Sequence, residues 1–408
     1  MSVLKNYKSF SGRHWETGSI HNALAHQGFI APHTGKPYSE EFLLGMSGGI
    51  NFGYFTFQYT GLPPQLAILT RNTFDPFQTL LERMGVPQEV YQTGSASKGL
   101  DNLLSVLEEG KPAIVWADAF SMPYEALSGR VDYWAMQPIV VYGHDGKRAL
   151  VADRSGLGLE VSAKRLEAAR ARIKKDKFRV ISLGEPSEAK LVSSVNLAIW
   201  QCVRAFTEAP PRGTRSNFGL AAYEHWSRML TNTRNKQSWE RFFPAKEGHF
   251  SAIAGNGPFP GLLDAIFAWG DMGAERERFA VFLEEAAIML KNQALVEVAE
   301  EFRKCHALWI NLADVLGANK MPSLMKAKKL IFQRGSLFIQ KGADAMQPIK
   351  AINNELSQLS REWPKNEGGN EMLIAGHRKS VQSAVNAIKD AEGLAIQKLS
   401  KAMSQLGN

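Results

Sequence analysis

Residues 12–24 read Gly-Arg-His-Trp-Glu-Thr-Gly-Ser-Ile-His-Asn-Ala-Leu and place several polar side chains at the start of a predicted helix. We predict that helix over residues 16–26, because Ile20, Ala23 and Leu24 fall on one face, and Gly28 can end it. The positive end of a helix dipole favours negative charge and can activate a nucleophile placed there. The helix start is therefore the first candidate position for chemistry.

Two β-type runs, residues 138–142 and 148–152, come later in the chain, and the Gly-His-Asp-Gly sequence at 143–146 predicts a hairpin turn between them. The second run ends at Asp153. Papain-like folds are built in this way. A nucleophile heads the first long helix, a histidine opens a later strand, and an Asp or Asn on the neighbouring strand orients that histidine.

Strands and helices alternate up to about residue 183, and the pattern is helical from Ser187 onward. These patterns predict an α+β protein with a papain-like (cysteine-peptidase-like) N-terminal domain and an all-α remainder. The expected domain limits are 1–185 for the papain-like domain, 186–320 for a helical domain, and 321–408 for a basic helical C-terminal extension.

The composition is that of a folded protein without a disulfide framework. Of 408 residues, 44% are hydrophobic and 22% charged, and the two cysteines are Cys202 and Cys305. So few cysteines favour a reducing compartment, and we interpret both as buried structural residues. The sequence shows neither a long apolar run nor an apolar N-terminal signal, so we expect a cytoplasmic location. No histidine or cysteine spacing indicates a metal site, and no cofactor is predicted.

The net charge of +8 is concentrated at the C-terminus, where the last 89 residues carry 14 Lys and Arg against 7 Asp and Glu. A second basic stretch covers residues 164–179. It fits either a solvated helix face or a docking surface for an acidic partner. The basic tail has few aromatic residues and no nucleic-acid-binding motif, which argues against nucleic acid as its partner.

The order of several motifs resembles the butirosin biosynthesis protein H family, in which a papain-like acyltransferase domain precedes a helical domain of unknown function. In the N-terminal part the matching motifs are HWET at 14–17, SEEFLLGMSGGINFGYF at 39–55, DAFSMPY at 118–124, IVVYGHD at 139–145 and VAD at 151–153. In the helical part they are residues 217–221, Trp239, 278–286 and 308–313. The resemblance covers roughly residues 10 to 318.

This resemblance implies a site whose nucleophile and base have both been replaced. Trp15 stands where the family has its cysteine, and an indole cannot form an acyl-enzyme. Gln137 is the best match to the family's histidine, and glutamine has no group that titrates near neutral pH. Asp153, the orienting acid, is retained.

Other residues are predicted to line the pocket: His14, Glu16, Thr17, His21, Gly48, Gly49 and Tyr124. Thr17 and His21 are one helical turn apart and form a candidate substitute nucleophile and base, with a capping threonine and an ordinary helix histidine as the alternative. The glycines from 45 to 53 fit either a pocket wall or a tight turn between packed elements.

Two functions remain open. In the first, the chain has lost its covalent mechanism and binds a carrier protein, a small molecule or an active paralogue, alone or as an oligomer. In the second, it is an active acyltransferase that moves an acyl group from an acyl carrier protein thioester to an amine with non-standard residues. Acyl carrier proteins are acidic, so the basic stretch at 164–179 would suit one.

Overall fold

A computed structural model describes residues 2–125, 135–175, 177–255, 260–267, 272–318 and 320–405. The strands are β1 (Ser2–Val3), β2 (Ile30–Ala31), β3 (Lys36–Pro37), β4 (Ile50–Phe57), β5 (Gln65–Arg71), β6 (Gln88–Tyr91), β7 (Ala113–Asp118), β8 (Met136–His144), β9 (Arg148–Ala152), β10 (Leu159–Ser162) and β11 (Val180–Leu183).

The helices are α1 (Trp15–His26), α2 (Glu40–Met46), α3 (Pro76–Met84), α4 (Ala96–Glu108), α5 (Ala163–Ala171), α6 (Glu188–Thr207), α7 (Gly219–Thr231), α8 (Trp239–Phe242), α9 (His249–Ala254), α10 (Leu262–Ile266), α11 (Arg276–Leu290), α12 (Ala294–Leu316), α13 (Pro322–Lys341), α14 (Met346–Glu362) and α15 (Glu371–Ser404). The expected α+β class, with a sheet in the N-terminal region and helices after it, is confirmed. Within the described residues, every helix is too short or too polar to cross a lipid bilayer.

The chain forms two compact units, each built from separate segments. The first comprises Met1–Ser47, Pro76–Ser194 and Ser336–Lys350, and the second comprises Gly48–Asp75, Val195–Gly335 and Ala351–Asn408. The domain limits expected from the sequence, at 1–185, 186–320 and 321–408, stay a prediction.

The first unit is organised around an antiparallel sheet with the strand order β10-β9-β8-β7-β11-β6, and β1 pairs with β8. Its central strands carry runs of Val, Ile and Ala whose side chains are buried, and helix α1 packs against β8. The predicted hairpin is confirmed as β8 and β9, with Val140 opposite Ala152. A bulge between Val141 and Gly143 extends β8 to His144, so the turn begins later than the sequence pattern indicates.

Helix α1 lies close to the chain that precedes it. A Cβ added to Gly12 would come within 2.4 Å of the carbonyl oxygen of Gly18. The backbone N–H of Gly12 donates to Asn22 Oδ1 at 3.0 Å. Glycine at both positions therefore lets residues 11–14 run along the first turns of α1.

In the residues that the structure describes, the second unit consists of helices and their connections together with the β4–β5 hairpin. Aromatic side chains of β4 stack on α7, with Phe52 3.6 Å from Tyr223 between ring centroids. Arg276 at the start of α11 pairs with Glu392 of α15, and both side chains are fully buried. Trp309 of α12 and Tyr223 also donate to Glu392, which joins four helices around one carboxylate.

Candidate functional site

The head of helix α1 is held by a carboxylate from the next helix. Glu40 is buried at the first position of α2 and accepts from the backbone N–H groups of Arg13 at 2.6 Å and His14 at 2.8 Å. Its Oε1 also accepts from Thr17 Oγ1 at 2.9 Å. A negative charge beside the N–H groups of a helix start is stabilised by the helix dipole. Glu40 therefore fixes the end of α1 that carries the predicted site.

His14 and Glu16 form the cap of this helix. His14 is the N-cap residue, and its Nδ1 accepts from the backbone N–H of Glu16 at 3.2 Å. Because a backbone N–H only donates, Nδ1 carries no proton in this arrangement. His14 thus has a structural role at the helix start.

Trp15, the first residue of α1, lies against an arginine. The guanidinium carbon of Arg154 lies 4.1 Å from the Trp15 ring centroid and 5.3 Å from that of Phe338. Phe338 lies near the end of α13, in the segment that belongs to the first unit. A cation between two aromatic faces in a partly desolvated setting is stabilised by the ring quadrupoles. The indole and this cation therefore occupy the head of the helix together.

Asp153 follows β9 and is bound on both carboxylate oxygens. Tyr124 Oη donates to Oδ2 at 3.0 Å, and Arg154 Nε donates to Oδ1 at 2.9 Å. Arg154 also donates through Nη2 to Glu125. The side chain of Asp153 is 3% exposed, and those of Arg154 and Glu125 are each 13% exposed. The retained acid is thus held by a tyrosine and an arginine.

The protonation of this cluster follows from burial. Burial raises the pKa of Glu125 to about 7, since Asp153 adds to the effect and the Arg154 cation opposes it only in part. Burial and the Asp153 carboxylate raise the pKa of Tyr124, so its hydroxyl stays protonated and donates. Burial alone would lower the pKa of Arg154, but the two carboxylates outweigh it and raise that pKa. Arg154 is a cation whose charge Asp153 balances.

Gln137 lies on β8, opposite Ala117 of β7. The next residue, Pro138, accepts through its carbonyl from Ser19 Oγ of α1 at 3.1 Å. Gln137 therefore lies next to the contact between α1 and β8. On α1 that contact is made by Ser19, which is one helical turn after Trp15. Asp153 directly follows β9, which pairs with β8. The three positions predicted for the nucleophile, base and acid thus lie on neighbouring elements of the first unit.

Thr17 and His21 take part in different hydrogen-bond networks. Thr17 donates to Glu40, whereas His21 Nε2 lies 2.6 Å from Ser11 Oγ. His21 Nδ1 lies 2.7 Å from the carbonyl oxygen of Tyr38. A carbonyl oxygen only accepts, so Nδ1 carries a proton, and Nε2 is the ring nitrogen that faces the Ser11 hydroxyl and accepts from it whenever the ring is neutral. The structure thus gives His21 a serine partner.

Gly48 and Gly49 belong to the second unit, at the start of the β4–β5 hairpin. Their φ angles are +108° and +70°, and a Cβ on Gly49 would come within 2.8 Å of the Phe279 ring. This is the conformation and packing of a tight turn between elements. Cys202 packs beside Gly49, and both cysteines are buried, as predicted. Burial raises the pKa of each thiol.

Four residues of the site were not predicted as site residues: Ser11, Glu125, Arg154 and Phe338. Glu40 was noticed only as part of a motif. Arg154 directly follows Asp153, and Glu125 directly follows Tyr124. Their position next to predicted site residues was the signal that the sequence offered. No signal in the sequence pointed to Ser11 or Phe338, because their roles depend on tertiary contacts.

The family model for the N-terminal region of butirosin biosynthesis protein H matches residues 14–154. This confirms the resemblance that the motifs indicate, over a segment that runs from the N-cap of α1 to Arg154. The match implies a biosynthesis acyltransferase-like protein. No curated protein shows significant similarity to the chain.

Proposed function

We propose that this acyltransferase-like protein of specialised biosynthesis acts by binding or templating its partners, without the covalent Cys-His mechanism of a papain-like centre. Trp15, Gln137 and Asp153 are then the remnants of the nucleophile, base and acid. The α1 helix packed on a β8–β9 hairpin supports a papain-like arrangement of these three positions.

The observation that carries the proposal is the position of Arg154. Its guanidinium covers Trp15 and binds Asp153, so the acid that would orient a histidine is paired with a group that is not a base near neutral pH. Tyr124 holds the other oxygen of Asp153. Neither the Trp15 indole nor the Arg154 guanidinium, the two groups in contact at the head of α1, can take up an acyl group from a thioester as a cysteine thiolate does.

An acidic carrier protein is the partner that the surface favours. In the basic stretch, Lys164, Arg165, Lys174 and Lys175 are exposed. Arg170 is buried, and Arg172 pairs with Asp118 at 2.9 Å. The exposed positive charges could steer a negatively charged partner to this face of the first unit. An active paralogue or a small-molecule ligand fits the same binding role.

Intact-protein mass spectrometry tests the proposal. The protein is incubated with acyl carrier protein thioesters and with acyl N-acetylcysteamine, and a carrier complex is measured in parallel by native mass spectrometry. We expect no acyl adduct, and a complex that weakens when Lys174→Glu and Lys175→Glu are combined. The pair Lys365→Glu and Lys379→Glu, both exposed, is the control with the same change of charge. Thioester turnover that survives Ser11→Ala would contradict the binding role.

The contact between Ser11 and His21 favours a second candidate, an active acyltransferase with non-standard residues. The hydroxyl of Ser11 is exposed and donates to His21 Nε2, while the Tyr38 carbonyl fixes the opposite nitrogen. This is a nucleophile, a base and an orienting group in hydrogen-bond contact. Ser11 Oγ would bond to the acyl carbon as the C–S bond breaks, and His21 would pass the serine proton to the leaving thiolate.

The same mass measurement separates the two functions. An adduct that peptide mapping places on Ser11, and that Ser11→Ala and His21→Gln abolish, supports the second candidate. Ser193→Ala, which removes another exposed hydroxyl, serves as the matched control. An unmodified protein that still binds the carrier supports the first function.

A further inference from the structure

The strap, residues Ser336–Lys350, is a segment of the C-terminal region that packs in the first unit. It contains the end of α13, the 3₁₀ turn Gly342–Ala345 and the start of α14. The Ile339 carbonyl accepts from the backbone N–H of Gly156, two residues after Arg154, at 2.8 Å. The strap therefore lies against the chain that carries Asp153 and Arg154, although the family match ends at residue 154.

Gly342 lets the strap approach this chain closely. Its φ angle is +51°, in the left-handed region that favours glycine. A Cβ at this position would come within 2.9 Å of Ser155 Oγ and 3.0 Å of Leu159 Cδ2. A side chain at residue 342 would therefore push the strap away from residues 155–159.

Phe338 is the strap residue that contacts the site. Its ring centroid lies 5.3 Å from the guanidinium carbon of Arg154 and 6.1 Å from the ring centroid of Tyr124. Arg154 and Tyr124 each donate to one oxygen of the Asp153 carboxylate. One aromatic ring thus packs against both of the groups that hold Asp153.

Arg154 is held in a backbone conformation that its side chain disfavours. Its φ angle is +46°, and left-handed backbone is strained for a residue that has a Cβ. Strain of this kind persists only where the surrounding contacts offset it, and it is common at ligand clamps and switches. The contacts here are the two carboxylates of Asp153 and Glu125 and the rings of Trp15 and Phe338. Without one of the two rings, the strained backbone can relax and draw the guanidinium away.

We infer that Phe338 is a positioning residue that keeps Arg154 on Trp15 and Asp153, and that the strap is an autoinhibitory contact at the head of α1. While the strap is in place, the Arg154 cation neutralises Asp153 and covers the indole ring. When the strap lifts, the guanidinium turns towards water, and a partner can reach the Asp153 carboxylate and Trp15. The strap thus selects between a closed and an open state of the site.

This inference goes beyond the proposed function, because it concerns what holds Arg154 in place and not what the chain binds. A carrier complex that does not depend on Lys174 and Lys175 would leave the strap unaffected. An Arg154 that stays in place without Phe338 would leave the carrier complex unaffected. The two sets of experiments therefore fail separately.

Carboxylate labelling of the full chain with a water-soluble carbodiimide and glycine ethyl ester, followed by peptide mass spectrometry, tests the inference. Phe338→Ala should raise the labelling rate of Asp153 at least about tenfold, because the cation that shields it is released. Asp118, which is 0% exposed in the first unit, should stay unlabelled and report that this unit is folded. Phe332→Ala is the matched control, since it removes another half-buried ring of α13, one that stacks on Phe267 at 4.9 Å. This control should leave the labelling of Asp153 unchanged.

Three further variants separate positioning by the aromatic face from simple packing. Phe338→Tyr keeps the face and should retain the wild-type labelling rate of Asp153. Phe338→Leu keeps an apolar side chain without the face and should be labelled as fast as Phe338→Ala. Gly342→Val should have the same effect, because it displaces the strap while the Phe338 ring is intact.

The Nε–H resonance of Arg154, assigned by its loss in Arg154→Lys, gives an independent readout. Its exchange with water should be at least about tenfold faster in Phe338→Ala, because the hydrogen bond to Asp153 is then broken. Wild-type labelling and exchange in a folded Phe338→Ala chain would overturn the inference. Wild-type labelling in Phe338→Leu would also overturn it, since the ring would then only fill space. Joint labelling of Asp118 and Asp153 in Phe338→Ala, Phe338→Leu and Gly342→Val would do the same, since the strap would then hold the whole unit together.

Discussion

The Arg154 guanidinium lies 4.1 Å from the Trp15 ring centroid, at the head of the helix where a papain-like enzyme would carry its nucleophile. The same guanidinium binds Asp153 at 2.9 Å. One arginine thus occupies the space between the first and third positions of the expected triad. This contact allows a prediction about the reactivity of a thiol placed at position 15.

Trp15→Cys should create a thiol that reacts with iodoacetamide at pH 7.5, while Cys202 and Cys305 stay unmodified because they are buried. A cation beside a thiol stabilises the thiolate and lowers its pKa. Adding Arg154→Gln should slow alkylation of the introduced thiol about tenfold, since Asp153 and Glu125 would then raise that pKa. Equal rates in the two variants, measured by peptide mass spectrometry, would place residue 15 away from Arg154.

The stability of the first unit should depend on the protonation of Glu125. Its pKa is about 7 in the folded chain against 4.5 for the ordinary group, so the folded state binds more protons between these values. The contribution of Glu125 to the free energy of unfolding is therefore fully present below pH 4.5 and is lost as the pH rises through 7. It amounts to at most about 3 kcal/mol. Glu125→Gln should remove this loss, measured as the difference from wild type in denaturant unfolding at pH 5 and pH 8.

The buried pair His249–His377 should make the second unit sensitive to acid. His249 Nε2 lies 2.9 Å from His377 Nδ1, and His377 Nε2 lies 2.8 Å from the Val315 carbonyl. Burial lowers the pKa of both rings, so both are neutral in the folded chain. Above pH 6.5, the ordinary pKa of histidine, the two rings contribute fully to the free energy of unfolding. This contribution is lost as the pH falls, because the histidines of the unfolded chain take up protons.

His249→Phe tests this pH dependence. The slope of unfolding free energy against pH between 6 and 5 should fall by up to about 1.4 kcal/mol per pH unit, the value for one proton. His225→Phe should change the slope less, because that histidine is only half-buried and lies outside the pair, and burial lowers its pKa to a smaller extent than that of the fully buried His249. An unchanged slope in His249→Phe would mean that the ring is already charged in the folded protein.

Glu392→Ala should destabilise the second unit by about 3–5 kcal/mol, because it leaves the fully buried Arg276 cation without its carboxylate. Lys398→Ala removes the exposed partner of the Lys398–Glu301 pair and should cost less than about 1 kcal/mol. Urea unfolding of both variants provides the measurement. Similar losses in the two would show that the buried network contributes no more than a surface pair.

The sequence by itself determined the local elements. The 3.6-residue spacing of Ile20, Ala23 and Leu24 predicted α1, the GHDG turn predicted the β8–β9 hairpin, and the helical pattern after Ser187 is confirmed by α6 to α15. The order of short motifs indicated the family, which the match over residues 14–154 confirms. These signals are local, since each depends on residues that are close together along the chain.

The tertiary structure alone decided which side chains meet. It places the Arg154 guanidinium over the rings of Trp15 and Phe338, although residue 338 is far from the other two in sequence. It placed His21 in hydrogen-bond contact with Ser11 and not with Thr17. It also placed the β4–β5 hairpin in the same unit as the later helices. The physical reason is that burial, ion pairing and hydrogen bonding depend on distance in space. Spacing along the chain fixes the face of a helix or strand on which a residue lies, but not the partner that it meets there.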